Sequence, residues 1–148
     1  KGKKILILGA GGVVSSIIFA LNKMSAAKII VTNRTKKKAE DLQGLFKNLT
    51  IIEWGEIPHF DMIINATSLG LNNNDEINLD FSKVEQGKFY YDVIYNPKET
   101  NFLKKAKMHG NKIENGKKMF IYQAAAAFKI WHNIYPKNDD EVERLLDQ

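Results

Sequence analysis

The feature that most limits what this chain can fold into is the succession of an apolar run, a glycine cluster and an amphipathic stretch within its first 24 residues. The run KILIL, residues 4–8, is apolar without alternation. That pattern suits a strand buried on both faces of a parallel sheet. Residues 9–12, GAGG, break it, and residues 13–24 place Val13, Ile17, Ala20, Leu21 and Met24 at helical spacing. A buried strand that turns through glycines into a helix is the first half of a βαβ unit.

The alternation continues along the chain. Strands are expected at 28–33, 49–54, 61–66, 88–95 and 111–116. A second amphipathic helix at 35–46 turns Ala39, Leu42 and Phe46 inward. A third is capped by Thr100, runs to His109 and stops at Gly110. A long helix spans 117–133, and a last one follows Pro136 with Asn138 or Asp139 as its cap. Residues 68–87 are polar and asparagine-rich, a loop with room for one helical turn. Strand–helix alternation over 148 residues predicts one α/β domain. Its expected form is a Rossmann-type, doubly wound, mainly parallel six-stranded sheet with carboxyl-terminal helices. The chain starts two or three residues before its first strand, as a domain taken from a longer protein would.

Composition removes several function classes. With no cysteine there is no disulfide framework, thiolate nucleophile or thiolate metal site. His59, His109 and His132 lack metal-like spacing to one another, so no metal is expected. No apolar run approaches the roughly 20 residues of a membrane helix and no signal peptide precedes the first strand, so the chain reads as cytoplasmic, with no membrane partner. The net charge of +5 invites a nucleic-acid reading. The lysines are scattered over helix faces without a basic stripe interleaved with aromatics, so no nucleic-acid partner is expected.

The chemistry begins at the glycine turn. Gly9 permits the tight turn, and Ala10 and Gly11 bring backbone close to a pyrophosphate. Gly12 is a further close-approach position, and Val13 opens the helix whose free N–H groups favour an anion. The usual third glycine falls at Val14, which implies different helix–sheet packing. At the end of the second strand, where an acid would read a free ribose 2′-hydroxyl, stand Asn33, Arg34 and Thr35, with Lys38 one turn on. A guanidinium fork, a hydroxyl and an ammonium suit a 2′-phosphate, so the expected cofactor is NADP.

Three motifs taken together resemble the shikimate dehydrogenase family: GAGGVV with NRT at 33–35, NATSLG at 65–70, and the pair YDVIYNPKETNFLKKA (91–106) and NGKKMFIYQAAAAFKIW (115–131). The resemblance covers almost the whole chain. His132 and Asn133 depart from it, where a glycine often follows the tryptophan. The resemblance implies NADP-dependent reduction of 3-dehydroshikimate to shikimate, on the route to aromatic amino acids. It adds Asn65, Ala66, Thr67, Ser68, Val93, Gly116 and Met119 to the cofactor side and assigns Tyr95 and Gln123 to the substrate. It also implies an amino-terminal substrate domain holding the catalytic lysine and aspartate, whose motifs are missing here. No catalytic residue is therefore expected in this chain, and helices 117–148 would pack toward that domain. Two readings stay open beside it: a free-standing NADP-binding regulatory module, and a related two-domain enzyme such as a quinate/shikimate dehydrogenase or a glutamyl-tRNA reductase. The sequence leaves the oligomeric state open, a homodimer included.

Overall fold

In a computed structural model, which describes residues 1–72, 74–137 and 140–146, six strands form one parallel sheet. They are β1 (Lys4–Leu8), β2 (Lys28–Thr32), β3 (Leu49–Ile52), β4 (Met62–Asn65), β5 (Phe89–Asp92) and β6 (Lys112–Glu114). The strand order is β3-β2-β1-β4-β5-β6 and every pairing is parallel. The helices are α1 (Gly12–Lys23), α2 (Lys36–Leu45), α3 (Asn101–Met108), α4 (Lys117–His132) and α5 (Asp140–Leu145). The expected cap of the last helix, Asn138 or Asp139, lies outside the described residues. The third, fifth and sixth strands are shorter than the sequence suggests, because the chain leaves the sheet at Glu53, Val93 and Asn115 to build loops.

The apolar runs alternate in space. Ile5, Ile7, Ile29, Val31 and Ile64 meet α1 and α2 on one face. Leu6, Leu8, Ile30, Ile63 and Tyr90 meet α3 on the other. Val14 explains the missing third glycine: it is fully buried, and with Ile18 it forms the contact of α1 with the sheet. The face expected from spacing is thus rotated by one residue. Val13, Ile17 and Leu21 flank it half-buried, whereas Ala20 and Met24 are exposed.

On the α3 face, two connections do the work of a helix without being one. Residues 53–61 cross beneath the sheet from β3 to β4, inserting Trp54, Ile57 and Phe60. Residues 66–88 contain no helix among the described residues, and Ile77, Leu79, Phe81 and Val84 cover the core in place of the expected helical turn. Phe81 sits edge-on to Tyr90 and Phe102, with ring centroids 6.0 and 6.2 Å away, a favourable arrangement of aromatic quadrupoles.

Two glycines are demanded by close backbone approach. Gly9 has φ +108°, and a β-carbon there would lie 2.8 Å from the Ala66 carbonyl oxygen. At Gly116 a β-carbon would lie 1.9 Å from the Val93 carbonyl oxygen. The segment after β6 is clamped to the segment after β5 at this point, with the Gly116 N–H donating to Ile94 O at 3.1 Å. The family resemblance puts Gly116 on the cofactor side; its lack of a side chain is also required by the protein's own backbone. Gly116→Ala should therefore cost at least about 2–3 kcal/mol, the upper range of overpacking penalties, and lower the thermal midpoint by roughly 5–10 °C. An unchanged midpoint would contradict the clamp.

Candidate active site

The carboxyl ends of β1, β2 and β4 open onto a cleft of about 620 Å³. Ten of the residues singled out in the sequence line it: Gly9, Ala10, Gly11, Asn33, Arg34, Thr35, Lys38, Ala66, Thr67 and Ser68. The cleft lies where the strand order reverses between β1 and β4, the position at which open α/β sheets take their ligands. Its floor is the glycine turn. Gly11 is the N-cap of α1 without a side-chain hydrogen bond, and apart from the adjoining residues and the helix's own backbone nothing lies within 4 Å of where a β-carbon would stand on Gly11 or Gly12. The start of α1 thus has room beside it, and the first N–H groups of a helix lack intrahelical partners and favour an anion.

The basic cluster is sorted by its partners. Lys36 pairs with Glu53, and Lys37 pairs with Asp41 at 2.9 Å. Among the described residues Arg34 and Lys38 have no ion-pair partner, and these two line the cleft. Both are exposed, so solvent screens them until a ligand covers them. The Asn33 amide donates to Thr35 O at 2.8 Å, holding the turn that aims residues 34 and 35. Thr35 caps α2 without a side-chain hydrogen bond, so its hydroxyl is not spent on the helix. The first turn of α2 contains no acid, leaving a second positive helix end at the same cleft.

The loop after β4 forms the opposite wall, and its shape is set from below. Asn65 is fully buried. Its Oδ1 accepts from the Thr67 N–H at 3.1 Å and the Thr67 hydroxyl at 2.7 Å. Its amide donates to Leu69 O at 3.0 Å and to Asp92 Oδ1 at 3.1 Å. Asn65, expected on the cofactor side, thus has its side chain hydrogen-bonded within the protein and shapes the loop that carries Thr67 and Ser68. Asp92 is also fully buried, accepting further from the Ile94 N–H at 3.0 Å and the Thr100 hydroxyl at 2.6 Å. Burial pushes the Asp92 carboxyl above its ordinary range, opposed by these hydrogen bonds.

The remaining sequence candidates lie off this cleft. Gly12 and Val13 open α1, with Val13 half-buried against the core. Val93, Tyr95, Gly116 and Met119 follow β5 and β6, toward the sheet's other edge. Tyr95 stacks on Phe120 with centroids 4.6 Å apart, and Gln123 is exposed on α4. Among the described residues no three or more histidines and acids come together as a group that could hold a metal ion. Sequence reasoning missed Trp54, Leu69, Glu76 and Asn78 as cleft residues. Trp54 read as core or edge cover, and Glu76 and Asn78 sat in a loop whose path had no periodic signal.

The motifs and their placement are matched by comparison with known proteins. The model of the shikimate / quinate 5-dehydrogenase family matches residues 1–98. The chain belongs to that family. A shikimate dehydrogenase (NADP(+)) from Pelagibacter ubique is 60% identical over 147 residues, covering 99% of this chain and 56% of that protein. The crystal structure of shikimate dehydrogenase from Aquifex aeolicus superposes with a TM-score of 0.88 at 37% identity, over 100% of this chain and 55% of that one. A shikimate dehydrogenase solved in complex with NADP+ gives 0.85 at 36% identity, over 99% and 54%. The chain spans about half the length of the curated relatives it matches. The relatives extend across 115–131, a signature that lies beyond the family model's match.

The buried Asp92 carries a pH signature. For an acid with a raised folded pKa, the native state holds its proton more tightly than the unfolded chain, whose carboxyl titrates near pH 3.9. Falling pH therefore favours the folded parent at this position, whereas Asp92→Asn has no proton to gain. Chemical denaturation at stepped pH should show the stability difference between the two moving in the parent's favour from pH 7 toward pH 4. A difference flat with pH would mean the carboxyl's affinity for protons is unshifted by folding.

Proposed function

We propose that this chain is the nucleotide-binding part of an NADP-dependent shikimate dehydrogenase, a cytoplasmic enzyme that reduces 3-dehydroshikimate to shikimate. The observation that carries the reading is the pair Arg34 and Lys38 at one end of the cleft, without an ion-pair partner among the described residues, while their neighbours Lys36 and Lys37 are neutralised. The residues present fit the cofactor: an open glycine turn at a helix start for the pyrophosphate, and a guanidinium, hydroxyl and ammonium for the 2′-phosphate. An Asp or Glu in place of Asn33 would repel that phosphate. The bound nicotinamide supplies the hydride.

The chain's own residues grip and orient. Gly11 and the first amides of α1 hold the diphosphate, with Gly12 and Val13 continuing that helix start. Asn33, Arg34, Thr35 and Lys38 select the phosphorylated ribose. Ala66, Thr67 and Ser68, shaped by Asn65, border the middle of the dinucleotide. Val93, Gly116 and Met119 form the nicotinamide end, and Tyr95 and Gln123 offer a hydroxyl and an amide to the substrate.

The proton of the new alcohol would be handled by a lysine–aspartate pair outside residues 1–148. That assignment is supported by α4, which buries only Ile121 and Ala125 and exposes Phe128, Ile130 and Trp131, the last two 80% and 77% exposed. An apolar helix face of this extent calls for a cover, and a substrate domain packed there would give one.

Titration with NADPH and NADH tests the reading. Arg34→Ala should weaken NADPH binding by about 1.5–3 kcal/mol, tenfold to about a hundredfold, and leave NADH nearly unchanged. Equal losses for both would place Arg34 in the fold rather than at the phosphate. Gly12→Ala should raise stability by about 0.5–1 kcal/mol, as an alanine does inside a helix, while weakening both nucleotides. Undiminished binding would remove Gly12 from the site. The 148 residues alone should not oxidise shikimate at a measurable rate; turnover would place the proton-handling group within them.

A further inference from the structure

Three of the four buried polar side chains among the described residues, Asn65, Asp92 and Thr100, form one network beneath the ends of β4 and β5. Asp92 is its centre. Oδ1 accepts from the Asn65 amide and from the Ile94 N–H; Oδ2 accepts from the Thr100 hydroxyl. Each bond leads to a different piece of the candidate site. Through Asn65 the carboxylate fixes the start of the loop that lines the nucleotide cleft. Through Ile94 it fixes the segment between Val93, whose backbone lies against Gly116, and Tyr95, which stacks on Phe120. Through Thr100 it fixes the far end of the cleft loop. Gly70 has φ +119°, and a β-carbon there would stand 3.0 Å from Thr100 Cγ2, so the loop closes directly onto this side chain.

A buried carboxylate is a costly way to stabilise a fold. Its charge is unfavourable out of water unless donors surround it, and an apolar residue would serve as well where only packing is needed. One residue with three acceptor bonds to three separate segments can instead set the distance between them. We propose that Asp92 is a positioning residue: it holds the 65–70 loop and the 93–95 segment in one fixed relation, so that the nucleotide's diphosphate and nicotinamide ends are gripped together. This rests on the NADP reading above.

The test compares four variants of the chain by NADPH titration, each well below its melting transition so that the folded fraction is constant. Asp92→Ala strips the acceptor from the Ile94 N–H and the Thr100 hydroxyl, and should raise Kd tenfold or more. Asp92→Asn keeps the Oδ1 acceptor and should restore Kd to within threefold of the parent. Thr100→Val, nearly isosteric, loosens one arm and should raise Kd about threefold; it keeps the test alive if Asp92→Ala does not fold. Phe60→Leu, in the core at the opposite end of β4, lowers stability without touching the network and should leave Kd within twofold. Hydrogen exchange at the Thr67, Leu69 and Ile94 amides should quicken together in Asp92→Ala and Thr100→Val, and stay slow in Phe60→Leu. Normal Kd in the Asp92→Ala and Thr100→Val proteins that fold would overturn the positioning role while leaving the NADP reading intact. So would an equal loss in Phe60→Leu. Failure of the parent to bind NADPH would overturn both.

Discussion

The structure depends on β1 being paired in parallel on both sides. Leu8 lies beside Thr32 of β2 and beside Asn65 of β4, so three chain segments end in register along one sheet edge. Because the strands are parallel, all three emerge pointing the same way, and the glycine turn, the 33–38 cluster and the 65–70 loop become neighbours without being close in sequence. The close approach of Gly9 to the Ala66 backbone draws the first and third of these together. The cleft follows from that topology; the residues around it decide what it can hold.

What it can hold is governed by which charges the protein leaves unsatisfied. A basic helix start opposes the helix dipole, and α2 offsets this at Lys36 and Lys37 with local acids. It does not do so at Arg34 and Lys38. Those two charges face the same opening as the uncapped end of α1, and together they make one wall of the cleft electropositive. A surface ion pair contributes little in water, so leaving two cations free costs the fold little. Covered by a doubly charged phosphate, the same groups form charge-assisted hydrogen bonds about twice as strong as neutral ones.

Much of this was legible in the sequence, for identifiable reasons. Continuous apolar runs such as KILIL mark strands buried on both faces, and glycine between strand and helix marks the turn, so fold and cleft floor could be read directly. Thr100 was recognisable as a cap because its hydroxyl has a local partner, the Leu103 N–H. Asn133, which departs from the family's glycine, closes α4 at φ 53°, and asparagine is the residue other than glycine that most readily takes that conformation. What the sequence does not show are contacts made across the sheet. Asn65 looked like a ligand contact because it ends a strand, and only the register with Asp92 shows where its amide is spent. Gly116 reads as a cofactor approach, and the sequence does not show that the Val93 backbone, 23 residues away, also requires its missing side chain. Trp54 and Glu76 reach the cleft through loops that carry no periodic pattern.

The claim at the centre of this account is that the dinucleotide lies along the edge formed by β2, β1 and β4 with its extra phosphate at residues 34–38. Mapping amide chemical shifts of the chain during addition of NADPH, and separately of NADH, tests it most directly. Amides at 10–13 should move with both nucleotides, and those at 34–38 should move strongly with NADPH alone. A second cavity of about 410 Å³, bordered by His59, Lys83 and Lys88, lies away from this edge. Shifts concentrated there, or residues 34–38 responding equally to the two nucleotides, would contradict it.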